Sequence, residues 1–196
     1  MNIKINDLVD KIISLEDALK EELEKEQDKI AYTLKEGRVV FDKDVLDKQQ
    51  KAFIGLFTYL KETPLLFIIT SPFIYGLMIP AVILDIFVSV YQMINFRVYK
   101  IPRVKRSDYI VFDRQYLKYL NAIEKINCLY CSYFNGLMAY VSEIAARTEQ
   151  YWCPIKHAKK IAYRHRHYDL FLPYGDASDY HENLEKLRQR LQKEQV

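Results

Sequence analysis

The sequence predicts an all-α protein that associates with a membrane through an apolar helical hairpin and carries a cytoplasmic helical bundle. Half of its 196 residues are apolar, while only 5 are glycine and 6 are proline, which favours long helices over turn-rich β structure. Residues 64–96 form one apolar stretch with a single charge. We therefore divide the chain into an N-terminal amphipathic helical region, residues 1–62, a membrane hairpin, residues 63–97, and a cytoplasmic domain, residues 98–196.

The N-terminal region carries apolar residues at helical spacing. Intervals of three and four residues separate Ile5, Leu8, Ile12, Leu15 and Leu19, and the positions between them are rich in Glu and Lys. This pattern predicts an amphipathic helix over residues 4–35, ended by Gly37 and packed against another helix of the same protein. Charges run through this region without an apolar segment of the secretory type, so we expect it to stay in the cytoplasm.

The apolar stretch is too long for one straight span. As a single helix, 33 residues would reach about 50 Å, against about 30 Å for the hydrocarbon core of a bilayer. Pro72, Gly76 and Pro80 lie near its middle and offer places to bend. The sequence therefore predicts a helical hairpin that either spans the membrane or re-enters it. The alternative is a buried core segment of a soluble bundle.

The charge pattern predicts the topology. Five basic residues crowd the exit of the apolar stretch, as cytoplasmic flanks do: Arg97, Lys100, Arg103, Lys105 and Arg106. Residues 1–62 have 11 Lys and Arg against 14 Asp and Glu, whereas the rest of the chain has 18 against 12. A hairpin keeps both termini on the cytoplasmic side of the inner membrane.

Asp85 is the one charge within the apolar stretch. A charged carboxylate costs several kcal/mol in lipid if it is unpaired, so we expect Asp85 to be protonated, paired or turned toward protein. It is a candidate for a proton or ligand path, and the alternative is a position near the headgroups or at a helix cap.

The cytoplasmic domain holds all three cysteines, in the sequence NCLYCSYFNGLMAYVSEIAARTEQYWCPIKH. Cys128, Cys131, Cys153 and His157 supply three thiolates and one imidazole, the residue types of a closed zinc site, and thiolates also suit iron. A continuous helix would place Cys131 about 33 Å from Cys153, so one four-ligand site needs a bend near Ser142 or a second copy of the chain. The alternatives are a thiol redox role for Cys128 and Cys131, or buried inert cysteines.

Three further residues are candidates for catalysis on a membrane-soluble substrate. These are Glu124, Glu143 and Arg147. Glu143 and Arg147 stand four residues apart and are equally typical of a structural ion pair on a helix. No Walker loop, dinucleotide fingerprint, serine nucleophile elbow or HExxH sequence supports a named class of enzyme.

The basic segment KHAKKIAYRHRHY, residues 156–168, is a candidate surface for anionic lipid. We expect membrane lipid as the partner, with a homo-oligomer as an option and no nucleic acid. The alternatives to a metal protein are therefore a metal-free scaffold that binds lipid or partner helices, and a membrane enzyme.

The strings NAIEKINCLYCSYFNG, EIAARTEQYWCPIKHA and SPFIYGLMIPAVILDIFVSVYQ resemble a group of uncharacterised bacterial proteins that are predicted membrane proteins. The resemblance covers roughly residues 60–180. It implies a bacterial origin and membrane association, and it brings no activity, substrate or cofactor.

Overall fold

The computed structural model describes residues 3–28, 32–35 and 38–193, and this part of the protein is mostly helical, which confirms the predicted helical class. Seven α-helices occur in it: α1 Ile3–Asp28, α2 Lys43–Lys51, α3 Leu56–Glu62, α4 Leu65–Gly76, α5 Met78–Tyr99, α6 Ala122–Trp152 and α7 Tyr180–Lys193. Two short strands, β1 Tyr32–Lys35 and β2 Arg38–Phe41, and three single-turn 3-10 helices complete the described elements.

The chain forms two compact units. The first contains the described residues up to Tyr59 together with Asp113–Lys125, and the second contains Leu60–Phe112 and the chain from Ile126 onward. The first unit thus combines residues that precede the apolar stretch with residues that follow it. The predicted division into residues 1–62, 63–97 and 98–196 instead follows the order of the chain, and it separates Asp113–Lys125 from the rest of the first unit.

The N-terminal helix ends earlier than the sequence pattern predicts. Helix α1 stops at Asp28, and the chain then forms an antiparallel pair in which Tyr32 lies opposite Phe41. The prediction of a helix to residue 35 was wrong because β1 and β2 are rich in β-branched and aromatic residues, which favour a pleated strand. The predicted helix end at Gly37 lies outside the described residues.

The apolar stripe of α1 faces solvent. Its described members are each 55 to 69% exposed: Ile12, Leu15, Leu19 and Leu23. The predicted packing partner within the same protein is therefore not seen for these four side chains.

Two hydrogen bonds join the chain before the apolar stretch to the chain after it, both within the first unit. Gln49 Oε1 accepts a hydrogen bond from the Lys118 amide at 2.8 Å. Asn121 Nδ2 donates to the Ile54 carbonyl at 3.4 Å. These contacts hold residues 49–54 and 118–121 in one folded body.

Helices α4 and α5 continue one another, so the predicted hairpin was wrong. Leu77, the residue between them, has φ −65° and ψ −16°, which are helical angles. The Ala81 amide donates to the Leu77 carbonyl at 3.2 Å, so helical hydrogen bonding resumes at once. A reversal of the chain would need residues outside the helical region at this point.

The two prolines do not reverse the chain because the helix accommodates both. Pro72 lacks the amide that would bond to the Ile68 carbonyl, and the Ser71 hydroxyl donates to that carbonyl at 2.8 Å instead. Pro80 lies in the first turn of α5, where its missing amide costs no intrahelical bond. The break at Leu77 therefore separates two helices without redirecting them.

Helices α5 and α6 run parallel, and an extended segment returns between them. Near the start of α6, Tyr75 of α4 hydrogen-bonds Asn127. Near the ends of α5 and α6, the rings of Tyr99 and Tyr151 stack with their centroids 4.7 Å apart. Parallel neighbours need a connection that travels back along their length. Residues 101–110 supply it, and three of their side chains are buried: Ile101, Val104 and Ile110. The hydrophobic core of the second unit consists of Ala81, Phe96, these three residues, Leu137, Tyr140, Ile144 and Leu191.

Helix α6 runs without interruption through Asn135 and Gly136. Gly136 allows the returning segment to pass close by, because a Cβ atom there would lie 2.4 Å from the Tyr109 carbonyl oxygen and 3.0 Å from Ile110 Cα. The glycine thus serves a close approach of two backbones. The bend that a one-chain metal site would need, near Ser142, is likewise absent from this helix.

Helix α7 closes the end of the second unit. Leu184 and Leu191 are buried, and Gln192 Nε2 donates to the Tyr99 carbonyl at 2.9 Å. Arg188 Nε donates to the Tyr151 carbonyl at 2.8 Å. The C-terminal helix therefore fixes the ends of α5 and α6 to each other.

Candidate functional site

The apolar helix formed by α4 and α5 is inverted relative to a helix of a soluble protein: its polar side chains face protein and its large apolar side chains face outward. Its inward face carries polar groups, since Asp85 and Gln92 are 8% and 6% exposed, while Phe87 and Val98 on the outer face are 71% and 70% exposed. Leu65–Tyr99 is 35 residues long with a mean hydropathy of 2.2, sufficient in length and composition to cross a membrane. Only 11% of its most apolar window is buried, whereas the core helix of a soluble protein would be mostly buried.

Asp85 is held by three partners that surround its carboxylate. Arg106 Nη2 donates to Oδ2 at 2.7 Å and the Tyr133 hydroxyl donates to the same oxygen at 2.9 Å, while Ser89 Oγ lies 3.4 Å from Oδ1. Of the predicted alternatives for Asp85, the structure shows a paired carboxylate that faces protein. Arg106 comes from the returning segment, so this ion pair fixes that segment against α5.

Gln92 holds the same segment about two helical turns after Asp85. The Val104 amide donates to Gln92 Oε1 at 2.9 Å, and Gln92 Nε2 donates to the Val104 carbonyl at 3.2 Å. Gln92 also hydrogen-bonds the Tyr140 hydroxyl. A buried amide that exchanges both of its bonds with one backbone residue sets the register of the extended segment.

Glu143 is the centre of a buried ionic cluster. Arg147 Nε donates to Glu143 Oε1 at 2.8 Å and Arg166 Nη2 donates to it at 2.7 Å, while His167 Nε2 lies 3.2 Å away. Arg147 Nη1 also donates to the Pro102 carbonyl at 2.9 Å. The cluster joins α6 to the returning segment and to the loop before α7. The predicted ion pair of Glu143 and Arg147 is confirmed.

The partners of Glu143 make its carboxylate a weak base. Burial by itself raises the pKa of this group, but the hydrogen bonds from His167, Arg147 and Arg166 outweigh it and lower the pKa from 4.5 to about 2. A general base works best with a pKa near the operating pH. Glu143 is therefore suited to holding the loop before α7 in place rather than to proton transfer.

The basic segment, residues 156–168, is partly turned inward. Arg166 bonds Glu143, and His165 Nε2 lies 3.1 Å from Glu149 Oε2. His157 stacks on Tyr168, whose hydroxyl accepts a hydrogen bond from the His157 amide at 2.7 Å. Only part of the predicted lipid surface is therefore a free basic face, formed by exposed residues such as Lys159 and Lys160.

The structure separates the four predicted metal ligands into two places. Cys128 and Cys131 lie one turn apart near the start of α6, whereas Cys153 follows its last residue. The continuous helix puts about 33 Å between Cys131 and Cys153. Throughout residues 3–28, 32–35 and 38–193, no three His, Cys, Asp or Glu side chains are grouped so that they could hold a metal ion.

Metal binding by Cys128, Cys131, Cys153 and His157 stays a prediction, but these residues of one chain lie too far apart for a single site, so we now expect the metal at Cys128 and Cys131 of two chains. Cys128 and Cys131 of two chains would complete four thiolate ligands for zinc or iron. We expect elemental analysis of the reduced full-length protein to find about one metal per two chains. Cys128→Ser with Cys131→Ser should remove it, while Cys153→Ser is the matched control that retains it. Protein that carries no metal when purified without chelator would contradict the prediction.

The three catalytic candidates do not form one site. Glu124 and Asn121 form a capping box at the start of α6: the Glu124 amide donates to Asn121 Oδ1 at 3.1 Å and the Asn121 amide donates to Glu124 Oε2 at 2.9 Å. Glu124 therefore lies about 28 Å along the helix from Glu143. Each carboxylate has a structural role where it stands.

Comparisons with protein-family models, with curated proteins and with solved structures found no match for this chain. The resemblance to bacterial membrane proteins stays a prediction.

The sequence does not reveal the cationic partners of Asp85 and Glu143, because these partners come from segments without regular secondary structure. Arg106 was counted among the flanking charges, and Arg166 and His167 were read as surface groups, yet all three bind buried carboxylates. The sequence offers one signal for these contacts. Asp85 and Glu143 are acidic residues within apolar or helical segments, and a buried carboxylate needs a cation to compensate its charge.

Proposed function

We propose that the protein is a monotopic membrane scaffold that binds one membrane surface through the outer face of α4 and α5 and holds a folded, charged domain against it. The inverted helix is the observation that carries this proposal. Polar groups turned toward protein and large apolar groups turned outward are the arrangement expected of a helix whose solvent is lipid. On a soluble protein, so long an apolar face would favour aggregation.

The fold of the first unit supports attachment to one side of the membrane over a single crossing. Residues 49–54 and 118–121, on either side of the apolar helix in sequence, are hydrogen-bonded within one unit. A single crossing would place a bilayer between them unless the chain crossed again. The returning segment carries Arg103, Lys105 and Asp108 besides Arg106, which Asp85 binds, and each unpaired charge costs about 3 kcal/mol at the bilayer centre.

This topology keeps both termini on one side, and the basic flank favours the cytoplasmic face of the inner membrane. It differs from the predicted hairpin in that the helix lies in the interface without turning back. The helix, about 52 Å long, can lie along a surface without the mismatch that a crossing would impose. The contacts of Asp85 and Gln92 then keep the folded domain attached to the lipid-bound helix.

The outer face is tested by a charge substitution at Phe87. Phe87→Asp should leave the fold intact, because the side chain is 71% exposed, and should weaken binding to neutral phosphatidylcholine vesicles by at least about 30-fold. Tyr174→Asp changes charge equally at another exposed aromatic residue and should bind like the unchanged protein. Vesicle flotation measures both. Equal binding by all three proteins would contradict the proposal.

Labelling from one side of sealed vesicles separates surface attachment from a crossing. In a chain without native cysteines, Lys61→Cys and Lys105→Cys place thiols before and after the apolar helix. We expect a membrane-impermeant maleimide to label both from the same side. Labelling from opposite sides would show a single span and overturn the monotopic arrangement.

A further inference from the structure

A cleft of about 370 Å³ lies at the end of α5, where the chain turns into the returning segment. Its lining residues are Met93, Arg97, Ile101 and Arg103. Pockets for small ligands span roughly 300–1,000 Å³, so the cleft has room for a headgroup and the start of an acyl chain. Two cations and two apolar side chains are the lining that an amphiphilic anion requires.

The two arginines are free to bind a ligand. In the described part of the chain, Arg97 and Arg103 have no ion pair or side-chain hydrogen bond, and both are exposed. Two other arginines near the returning segment are engaged, since Arg106 binds Asp85 and Arg147 binds Glu143. Two unpaired guanidinium groups that line one cleft attract a phosphate, which they can bind through paired N–H donors.

The backbone fixes the spacing between the arginines before any ligand arrives. Lys100 adopts the left-handed conformation, with φ 58°, and turns the chain back along α5. Ile101 and Val104 are buried on either side of Arg103, and Val104 is clamped by Gln92. A preorganised site loses less conformational entropy on binding, which strengthens the interaction.

Two carbonyl groups in the last turn of α5 are satisfied, which reduces their repulsion of an anion. The Phe96 carbonyl accepts a hydrogen bond from the Ile101 amide at 3.0 Å, and the Arg97 carbonyl accepts one from the Lys100 amide at 3.3 Å. The negative end of the helix dipole is therefore partly neutralised where the ligand would bind.

We propose that this cleft binds the phosphate of an anionic membrane lipid between Arg97 and Arg103, with the acyl chains on the adjoining apolar face. This inference rests on the proposed membrane attachment and names its ligand. The apolar lining favours a lipid over a free phosphate. Met93 lines the cleft and is 53% exposed, and Ile94 and Val98 beside it are 54% and 70% exposed, so a lipid chain would continue from the cleft onto the outer face.

The test compares flotation of the full-length protein with neutral phosphatidylcholine vesicles and with vesicles that also contain phosphatidylglycerol. We expect tighter binding to the anionic vesicles. Arg97→Gln with Arg103→Gln should remove about 30-fold of that preference and weaken binding to neutral vesicles much less, because the choline cation offsets the phosphate charge there. Lys159→Gln with Lys160→Gln removes the same charge from exposed positions outside the cleft and should keep most of the preference.

A charge-conserving variant separates a shaped site from general attraction to the membrane. Arg97→Lys with Arg103→Lys keeps the charge but loses the planar fork, so it should retain less of the anionic preference than the unchanged protein. If the lysine variant binds like the unchanged protein, or if the Lys159 and Lys160 variant loses as much as the glutamine variant, the cleft is not the site and the inference is overturned.

Two further outcomes separate this inference from the proposed function. Failure of the unchanged protein to bind neutral vesicles would count against the membrane scaffold itself, whereas neutral binding without an arginine-dependent anionic preference would overturn the cleft alone. Glycerol phosphate titrated into the detergent-solubilised protein distinguishes the source of the phosphate. Arginine-dependent binding of glycerol phosphate as tight as that of short-chain phosphatidylglycerol would overturn a lipid ligand.

Discussion

Replacing Glu143 by Gln is expected to lower the free energy of unfolding by about 3 kcal/mol, among the largest losses for any single residue of the second unit. The substitution preserves the volume of the side chain but removes the charge that compensates Arg147, whose side chain is 8% exposed. A buried guanidinium group without its carboxylate keeps its desolvation cost and loses its attraction. Denaturant unfolding of the detergent-solubilised protein measures the change.

Glu149→Gln is the matched control, since it makes the same substitution six residues further along α6. Glu149 has a side chain that is 33% exposed and a single partner, His165, so the cost should be below about 1 kcal/mol. Equal losses for the two variants would contradict the assigned role of the Glu143 cluster.

Acid should reproduce the Glu143 effect in the unchanged protein. The pKa of Glu143 is lower in the folded state, about 2, than its ordinary value of 4.5, so the folded state favours the charged form. The resulting stabilisation, about 3 kcal/mol, is complete above about pH 5 and is lost as the pH falls toward 2. Glu143→Gln should show a flatter pH dependence over this range, and an unchanged profile would argue against the lowered pKa.

Replacing Gly136 by Ala is expected to destabilise the protein by about 2 kcal/mol or more, although alanine is the better helix former. The new Cβ would lie 2.4 Å from the Tyr109 carbonyl oxygen, and neither backbone can yield without moving a buried segment. Thermal unfolding followed by circular dichroism measures the loss.

Gly76→Ala is the control for the same change at another helical glycine. A Cβ at Gly76 meets no atom within 4 Å, so this variant should be neutral or slightly stabilising. If both alanine variants were equally stable, the close passage of the returning segment over α6 would be wrong.

The helices of this protein are predictable from its sequence, while their arrangement is not. Periodicity and composition identify the apolar helix and the helical C-terminal region. The cost of a lone charge restricts Asp85 to being protonated, paired or turned toward protein, and it is paired with Arg106. The hairpin prediction failed because a proline within a helix need not reverse the chain: Ser71 donates to the Ile68 carbonyl that Pro72 leaves free, and helical bonding resumes at Leu77. Likewise, the sequence does not reveal that the backbone of residues 109 and 110 passes close to Gly136.

The candidate site was harder to predict because its parts come from segments without periodicity. Glu143 and Arg147 were visible as a pair at helical spacing, whereas Arg166 and His167 lie more than twenty residues away in an irregular loop. The Arg97 and Arg103 cleft depends on the left-handed residue Lys100 and on the Gln92 clamp. Neither the backbone conformation of Lys100 nor the hydrogen bonds of Gln92 can be recognised from the amino-acid sequence.

The parallel arrangement of α5 and α6 has a consequence for biosynthesis. Gln92 and its partner Tyr140 are 48 residues apart, so at roughly 5–20 residues per second the ribosome makes the second only roughly 2–10 s after the first. During that interval the apolar helix is complete but its polar inward face has no protein to cover it. Under the proposed membrane attachment, lipid is available from the start, so the nascent chain should reach the membrane before its domain closes over Asp85 and Gln92.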